Sequence, residues 1–305
     1  MAQADVGRGI SLEWEAFGDR KNEPLILIMG LGAQMLLWPD AFCEQLAARG
    51  FWVVRFDNRD VGLSTKLHSL GVPNILPRLL LRAAARVRLA SPYTLSDMAR
   101  DTVGLMDALG IADAHIVGMS MDGMIAQTIA IEHPERVRSL VSYASTNGDF
   151  GLPNGRPEVL RALTAKPPTD GFEAAVAFGV NILKTIGSPA YHDPIEARKL
   201  VIRGMERSTY RLGMARQFAA ILAAEPRSTR LKNVRVPTTI IHGRIDGLLP
   251  LAHGEATARA IPGAKLVVLD TMAHDVPRPL WPQLIDAIEQ NARRAIKPAA
   301  AAARA

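Results

Sequence analysis

Short apolar runs alternate with helical patterns along most of this 305-residue chain, and that alternation restricts the fold more than any other feature. Residues 10–17 (ISLEWEAF) alternate as a half-exposed strand does. Leu25–Met29 is continuously apolar and ends in the turn Gly30-Leu31-Gly32, as expected of a strand buried on both faces. A helical pattern follows from Pro39 to Arg49, Gly50 stops it, and Trp52–Phe56 reads as the next strand. Thr94, or else Ser96, caps a helix that runs through Leu109. Ala114–Val117, Val137–Tyr143, Thr238–His242 and Lys265–Leu269 read as further strands. Met121–Glu132, the region near His253–Ala260 and Trp281 to about Ala295 read as helices. Strands joined through helices run parallel, and the helices then cover both faces of one sheet. The expected class is α/β, with a mostly parallel, doubly wound sheet.

The alternation stops from about Thr146 to Arg230, where helical patterns are separated by Pro and Gly turns without a convincing strand. A helical insertion between two parts of one sheet explains this. The expected organisation is a core over 1–146, a helical cap over 147–230, the rest of the core over 231–296, and a tail over 297–305. Residues 77–89 (PRLLLRAAARVRL) form a basic, apolar helical stripe, expected to be an ordinary surface helix rather than a membrane-touching one.

Hydrophobic residues make up 48% and charged residues 22% of the chain, which excludes disordered and fibrous classes. No apolar run approaches the roughly 20 residues needed to cross a bilayer. The mixed-charge leader lacks the pattern of a secretory signal, so a cytoplasmic protein without stable membrane association is expected. The net charge of +6 is scattered, and no aromatic-interleaved basic motif accompanies it, so nucleic acid is not an expected partner. Cys43, the single cysteine, lies in an apolar-periodic segment and is expected to be a buried thiol. The seven histidines show no metal-ligand spacing, and no metal is expected.

Three polar residues stand just beyond strand ends, in the order Ser, Asp, His. Ser120 lies in Gly118-Met119-Ser120-Met121-Asp122-Gly123, Asp246 in HGRIDGLLP, and His274 in DTMAHDVP. The carboxyl ends of parallel strands are where such sheets place ligands. A serine in a tight strand-to-helix turn exposes its hydroxyl beside unpaired helix N–H groups. A histidine can take the serine proton, and a buried aspartate can hold that histidine in the required tautomer.

With these motifs the chain resembles the α/β-hydrolase superfamily, and more closely bacterial carboxylesterase-like hydrolases related to aclacinomycin methylesterase. The resemblance covers nearly the whole chain. It is carried by IMGLG (28–32), RFDNRDVGLS (55–64), HIVGMSMDGMIAQ (115–127), HGRID (242–246) and MAHD (272–275). It implies an α/β-hydrolase core with a cap, and an acyl-enzyme on Ser120. His274 would act as base and then acid, Asp246 would orient it, and the backbone N–H groups of Met121 and Leu31 would form the oxyanion hole. The implied substrate is a small-molecule ester or lactone, with no cofactor. Perhydrolysis, C–C cleavage and amide hydrolysis on the same triad stay open, because fold and triad do not fix the substrate.

One position departs from the pattern G-x-S-x-G: Asp122 replaces its last glycine. An aspartate there either crowds the elbow or sits in the first helical turn, where the helix dipole favours a carboxylate. A charged carboxylate would favour imidazolium on the histidine and oppose the oxyanion. Asp122 is therefore expected to lower activity, Asp122→Gly to raise kcat, and a weakly active ligand-binding homologue is a further alternative. Asp57 to Asp60 are expected to build a turn, and His115 and His242 to be structural. Asp149 is a less favoured triad acid, and Asp275 is expected to point away from the site. The apolar residues of the insertion, among them Leu160, Ile182, Leu183, Met205 and Met214, are expected to pack it, with a few lining a pocket.

Overall fold

Leu25, Ile26, Leu27 and Ile28 are wholly buried at the centre of the sheet in the structure, a computed structural model that describes residues 1–75, 77–78 and 89–295. The strands are Ala2–Asp5 (β1), Ser11–Phe17 (β2), Glu23–Ile28 (β3), Phe51–Phe56 (β4), Ala114–Met119 (β5), Val137–Tyr143 (β6), Thr238–Gly243 (β7) and Lys265–Leu269 (β8). They form one eight-stranded sheet in the order β1-β2-β4-β3-β5-β6-β7-β8. β1–β2 and β2–β4 are antiparallel, and every other pair is parallel. The mostly parallel sheet expected from the alternation is present. β1 was not anticipated. Its four residues AQAD carry no strand signal of their own, and the strand exists by pairing Ala2 with Trp14 through Asp5 with Ser11.

The central strands separate two apolar layers, because successive side chains point to opposite faces. Ile26 and Ile28 pack with helices Leu95–Ala108 (α2) and Met121–Glu132 (α3). Leu25 and Leu27 pack with Asp40–Ala48 (α1) and the last helix, which runs over Trp281–Arg293. Thr94 caps α2 through a reciprocal box: its hydroxyl accepts from Asp97 N at 3.2 Å, and Asp97 Oδ2 accepts from Thr94 N at 2.8 Å.

Between β6 and β7 lies a helical insert: Pro157–Thr164 (α4), Phe172–Ile186 (α5), Pro194–Arg207 (α6), Leu212–Ala223 (α7) and Ser228–Leu231 (α8). Ala252–Ala260 (α9) then joins β7 to β8, and Trp281–Arg293 (α10) follows β8. Residue 76, most of the basic stripe at 77–89, and the end of the chain from 296 onward lie outside the described residues. Among the described residues no helix is long and apolar enough to cross a membrane.

Candidate active site

Ser120 occupies the turn between β5 and α3 with φ +59° and ψ −123°, a conformation costly for a side chain of L configuration. Its surroundings hold it there. Ser120 N donates to Tyr143 O at 2.9 Å, and Ser120 O accepts from Gly123 N at 3.0 Å and from Ser145 Oγ at 2.7 Å. The flanking glycines permit the close approach. A Cβ on Gly118 would stand 2.0 Å from Asp122 O, and one on Gly123 would stand 2.5 Å from Ser145 Cβ.

Asp246 and His274 reach this turn from the loops after β7 and β8. His274 Nε2 lies 2.9 Å from Ser120 Oγ, and His274 Nδ1 lies 2.7 Å from Asp246 Oδ2. The other carboxylate oxygen, Oδ1, accepts from Leu248 N at 2.8 Å and Leu249 N at 2.9 Å, which sets its orientation. Asp246 is 4% and His274 5% exposed. Burial pushes the Asp246 pKa up, yet the charge and hydrogen bond of His274 outweigh it and hold the carboxyl below its ordinary range. For His274 burial works downward, and Asp246 reverses it to leave the imidazole above its usual value. A carboxylate on Nδ1 places the proton there and leaves the Nε2 lone pair for the serine hydroxyl.

The turn after β3 borders the elbow: a Cβ on Gly30 would stand 3.2 Å from Ser120 Cβ. Leu31, half-buried, is next in that turn, and Met121 opens α3, where the first N–H groups have no intrahelical acceptor. Gly32 N donates to Gln217 Oε1 at 2.8 Å, and Gln217 Nε2 donates to Arg59 O at 2.9 Å. Gln217 was not singled out from the sequence. Its one signal is the polar pair Arg216-Gln217 inside the otherwise apolar α7.

Asp122 is completely buried in the first turn of α3, where its Oδ2 accepts from Asn58 Nδ2 at 2.8 Å. Burial raises its pKa well above the carboxylate range, and the Asn58 bond only partly opposes this. Burial favours the neutral carboxyl, the form that would place no charge beside the histidine or the oxyanion. Asn58, read as a turn former, is the partner that accommodates Asp122.

The other candidates lie elsewhere. Asp149 accepts from Asn147 Nδ2 at 2.9 Å and from Ser228 Oγ at 2.7 Å. Asp275 turns away to Ser188, accepting from its N at 2.9 Å and its Oγ at 2.5 Å. His115 pairs with Ser139 Oγ at 2.9 Å inside the sheet, and burial pulls its pKa down to about 4. His242 Nε2 lies 2.8 Å from Leu249 O, behind Asp246. Asp57 accepts from Met35 N at 2.8 Å and Leu63 N at 2.9 Å, and Arg59 pairs with Asp101.

A cavity of about 260 Å³ lies between α5, α6 and the segment after β3, with Leu36, Leu37, Ile182, Leu183, Leu200, Val201 and Met205 as its apolar wall. Gly32 borders it. Leu183 is one turn from Ile186, whose carbonyl accepts from His274 N at 3.1 Å. Among the other apolar residues of the insert, Val176 is buried, whereas Leu160 and Phe172 are exposed.

Known proteins share this architecture. The family model for the alpha/beta hydrolase fold matches residues 23–277. A rhodomycin D methylesterase of Streptomyces peucetius is 27% identical over 318 residues, covering 94% of this chain and 96% of its own. An enol-lactonase from Burkholderia xenovorans LB400 superposes with a TM-score of 0.71 at 21% identity, covering 95% of this chain and 100% of its own. A meta-cleavage product hydrolase from Pseudomonas fluorescens IP01 gives 0.69 at 21%, covering 95% and 94%. With a serine at the strand-to-helix turn and a family match over most of its length, the chain belongs to the alpha/beta hydrolase family.

Proposed function

We propose that the protein hydrolyses a carboxylic ester or lactone through an acyl-enzyme on Ser120. The observation that carries this reading is the continuous chain from Ser120 Oγ through His274, 2.9 Å on one side and 2.7 Å to Asp246 on the other. The likeness to a methylesterase supports it.

In the proposed mechanism, Ser120 Oγ attacks the carbonyl carbon while His274 Nε2 accepts its proton. Asp246 holds the imidazole by Nδ1 and stabilises the imidazolium that forms. The tetrahedral oxyanion takes hydrogen bonds from Met121 N–H and Leu31 N–H. His274 then returns the proton to the leaving alcohol oxygen as the C–O bond breaks. Water repeats the sequence on the acyl-enzyme, releasing the acid and free Ser120. The insert, proposed as a cap over 147–230, forms with Leu36 and Leu37 the apolar space for the acyl or alcohol part. At about 260 Å³, and with Gln34, Ser208, Thr209 and Arg211 also lining it, that space suits a small ester with both an apolar and a polar part.

A fluorophosphonate probe tests the reading. Stoichiometric adduct on Ser120 by mass spectrometry, lost in Ser120→Ala, and turnover of p-nitrophenyl esters or lactones are expected. A folded protein with no adduct and no turnover would defeat the hydrolytic reading and favour a ligand-binding role.

A further inference from the structure

Asn58 is 2% exposed and spends its amide nitrogen on two acceptors, Asp122 Oδ2 at 2.8 Å and the Met29 carbonyl at 3.1 Å. Met29 lies between β3 and the turn Gly30-Leu31-Gly32, and Asp122 is the second residue of α3. One planar amide therefore ties together the two segments that carry the Leu31 and Met121 N–H groups. An oxyanion hole depends on the spacing of its donors, since they must already stand where charge develops.

We propose that Asp122 and Asn58 are positioning residues, which hold the turn after β3 in fixed register over the elbow so that Leu31 N–H and Met121 N–H converge on one oxygen. This rests on the ester-hydrolase reading of Ser120. It also accounts for the departure from glycine: without the Asp122 oxygen, one hydrogen of the buried Asn58 amide loses its acceptor.

Full burial of Asp122 disfavours a charge beside the oxyanion while it does this. Its Oδ1 has no hydrogen-bond partner among the described residues. Titratable groups on the neighbouring elements are engaged elsewhere. Asp57 pairs with Arg207, Arg59 with Asp101, Asp60 with Arg216, and His274 with Asp246. From α2, which packs on α3, Asp97 is bound to Thr94 and Arg100, and Glu132 at the far end of α3 to Arg230. Burial then favours the neutral carboxyl, which still offers Oδ2 as an acceptor.

The test compares Asp122→Gly, Asn58→Ala and Asp122→Asn with the wild type, using p-nitrophenyl butyrate and an alkyl trifluoromethyl ketone. The ketone forms a tetrahedral oxyanion on Ser120 and reads the hole directly. Asp122→Gly and Asn58→Ala are expected to lower kcat by about 10- to 100-fold, with a matching loss of ketone affinity. KM should move by less than about threefold, as for an interaction made only in the transition state. Asp122→Asn, whose amide oxygen can take the Asn58 hydrogen, should stay within about threefold of wild type. Thermal unfolding checks each variant, and if Asn58→Ala does not fold, the two Asp122 variants decide. An Asp122→Gly kcat equal to or above wild type, or an Asp122→Asn as impaired as Asp122→Gly, would overturn the proposal. Fluorophosphonate labelling of the wild type runs alongside: its absence defeats the hydrolase reading itself, whereas labelling with unaffected Asp122→Gly defeats only the positioning role.

Discussion

Gln217 Oε1 accepts the amide of Gly32 at 2.8 Å across 185 residues of sequence, and so joins α7 of the helical insert to the turn that carries Leu31. Gln217 is wholly buried, and its Nε2 satisfies the Arg59 carbonyl as well. Gln217→Ala strands a donor and an acceptor, and frees the turn. A kcat lower by about tenfold and a stability loss of about 1–3 kcal/mol are expected, read from ester hydrolysis and urea unfolding. An unchanged kcat would show that the turn holds its shape without the Gln217 bonds.

The pH dependence follows from the His274–Asp246 pair. Only neutral imidazole accepts the serine proton. Burial lowers the His274 pKa, but the charge and hydrogen bond of Asp246 more than offset it, so the folded value lies above the ordinary 6.5. kcat/KM should therefore be lost as pH falls through a midpoint above 6.5. Asp246→Asn removes the main opposition to burial and leaves the charge of Asp275, which moves that midpoint downward, and kcat should drop by about 10⁴ because the tautomer is no longer held. A pH–rate profile of both proteins checks the shift, and a midpoint unmoved in the variant would remove Asp246 from this role.

Asp60 and Arg216 form a buried pair in which Nε meets Oδ2 and Nη2 meets Oδ1, each at 2.8 Å. The guanidinium also donates to Gly71 O at 2.7 Å, so the pair anchors α7 on the loop after β4. Burial pushes Asp60 up, and the bonds from Arg216 and from Leu67 N outweigh it to hold the carboxyl below its ordinary range. Asp60→Ala leaves a buried cation without its partner, and a loss of about 3–5 kcal/mol is expected in guanidinium unfolding. A loss under about 1 kcal/mol would mean that Gly71 O and the Tyr210 hydroxyl, which also accepts from Arg216 Nη2, suffice for the guanidinium.

Cys43 is wholly buried on the inner face of α1, and burial pushes its thiol up to about 12. The thiolate is the reactive form. Iodoacetamide at pH 8 should leave the native protein unmodified and alkylate Cys43 once urea unfolds it. Rapid modification of the native protein would require local opening around α1.

Local signals made the framework legible. Val137–Tyr143, Lys265–Leu269 and Met121–Glu132 have the limits that their own apolar periods and turn residues indicate. Thr94 announces α2 because a capping hydroxyl acts within one turn. Ser120, Asp246 and His274 were nameable because each stands just past a strand end, a position that depends on its own segment. β1 was not legible, since Ala2–Asp5 is a strand only while β2 lies beside it.

Composition and short-range pattern alone thus settle where the strands and helices of the core other than β1 form, that the sheet is mostly parallel, and which residues stand at its carboxyl edge. Strand order, the partnership of Gln217 with Gly32, and the state of Asp122 were decided only when distant segments met. The same carboxyl group that a helix N-terminus in water would keep charged is favoured as neutral here, because packing around α3 removes all solvent from it and supplies the Asn58 amide instead. Desolvation and long-range hydrogen bonds depend on what lies within a few ångströms, and a linear sequence does not contain those distances.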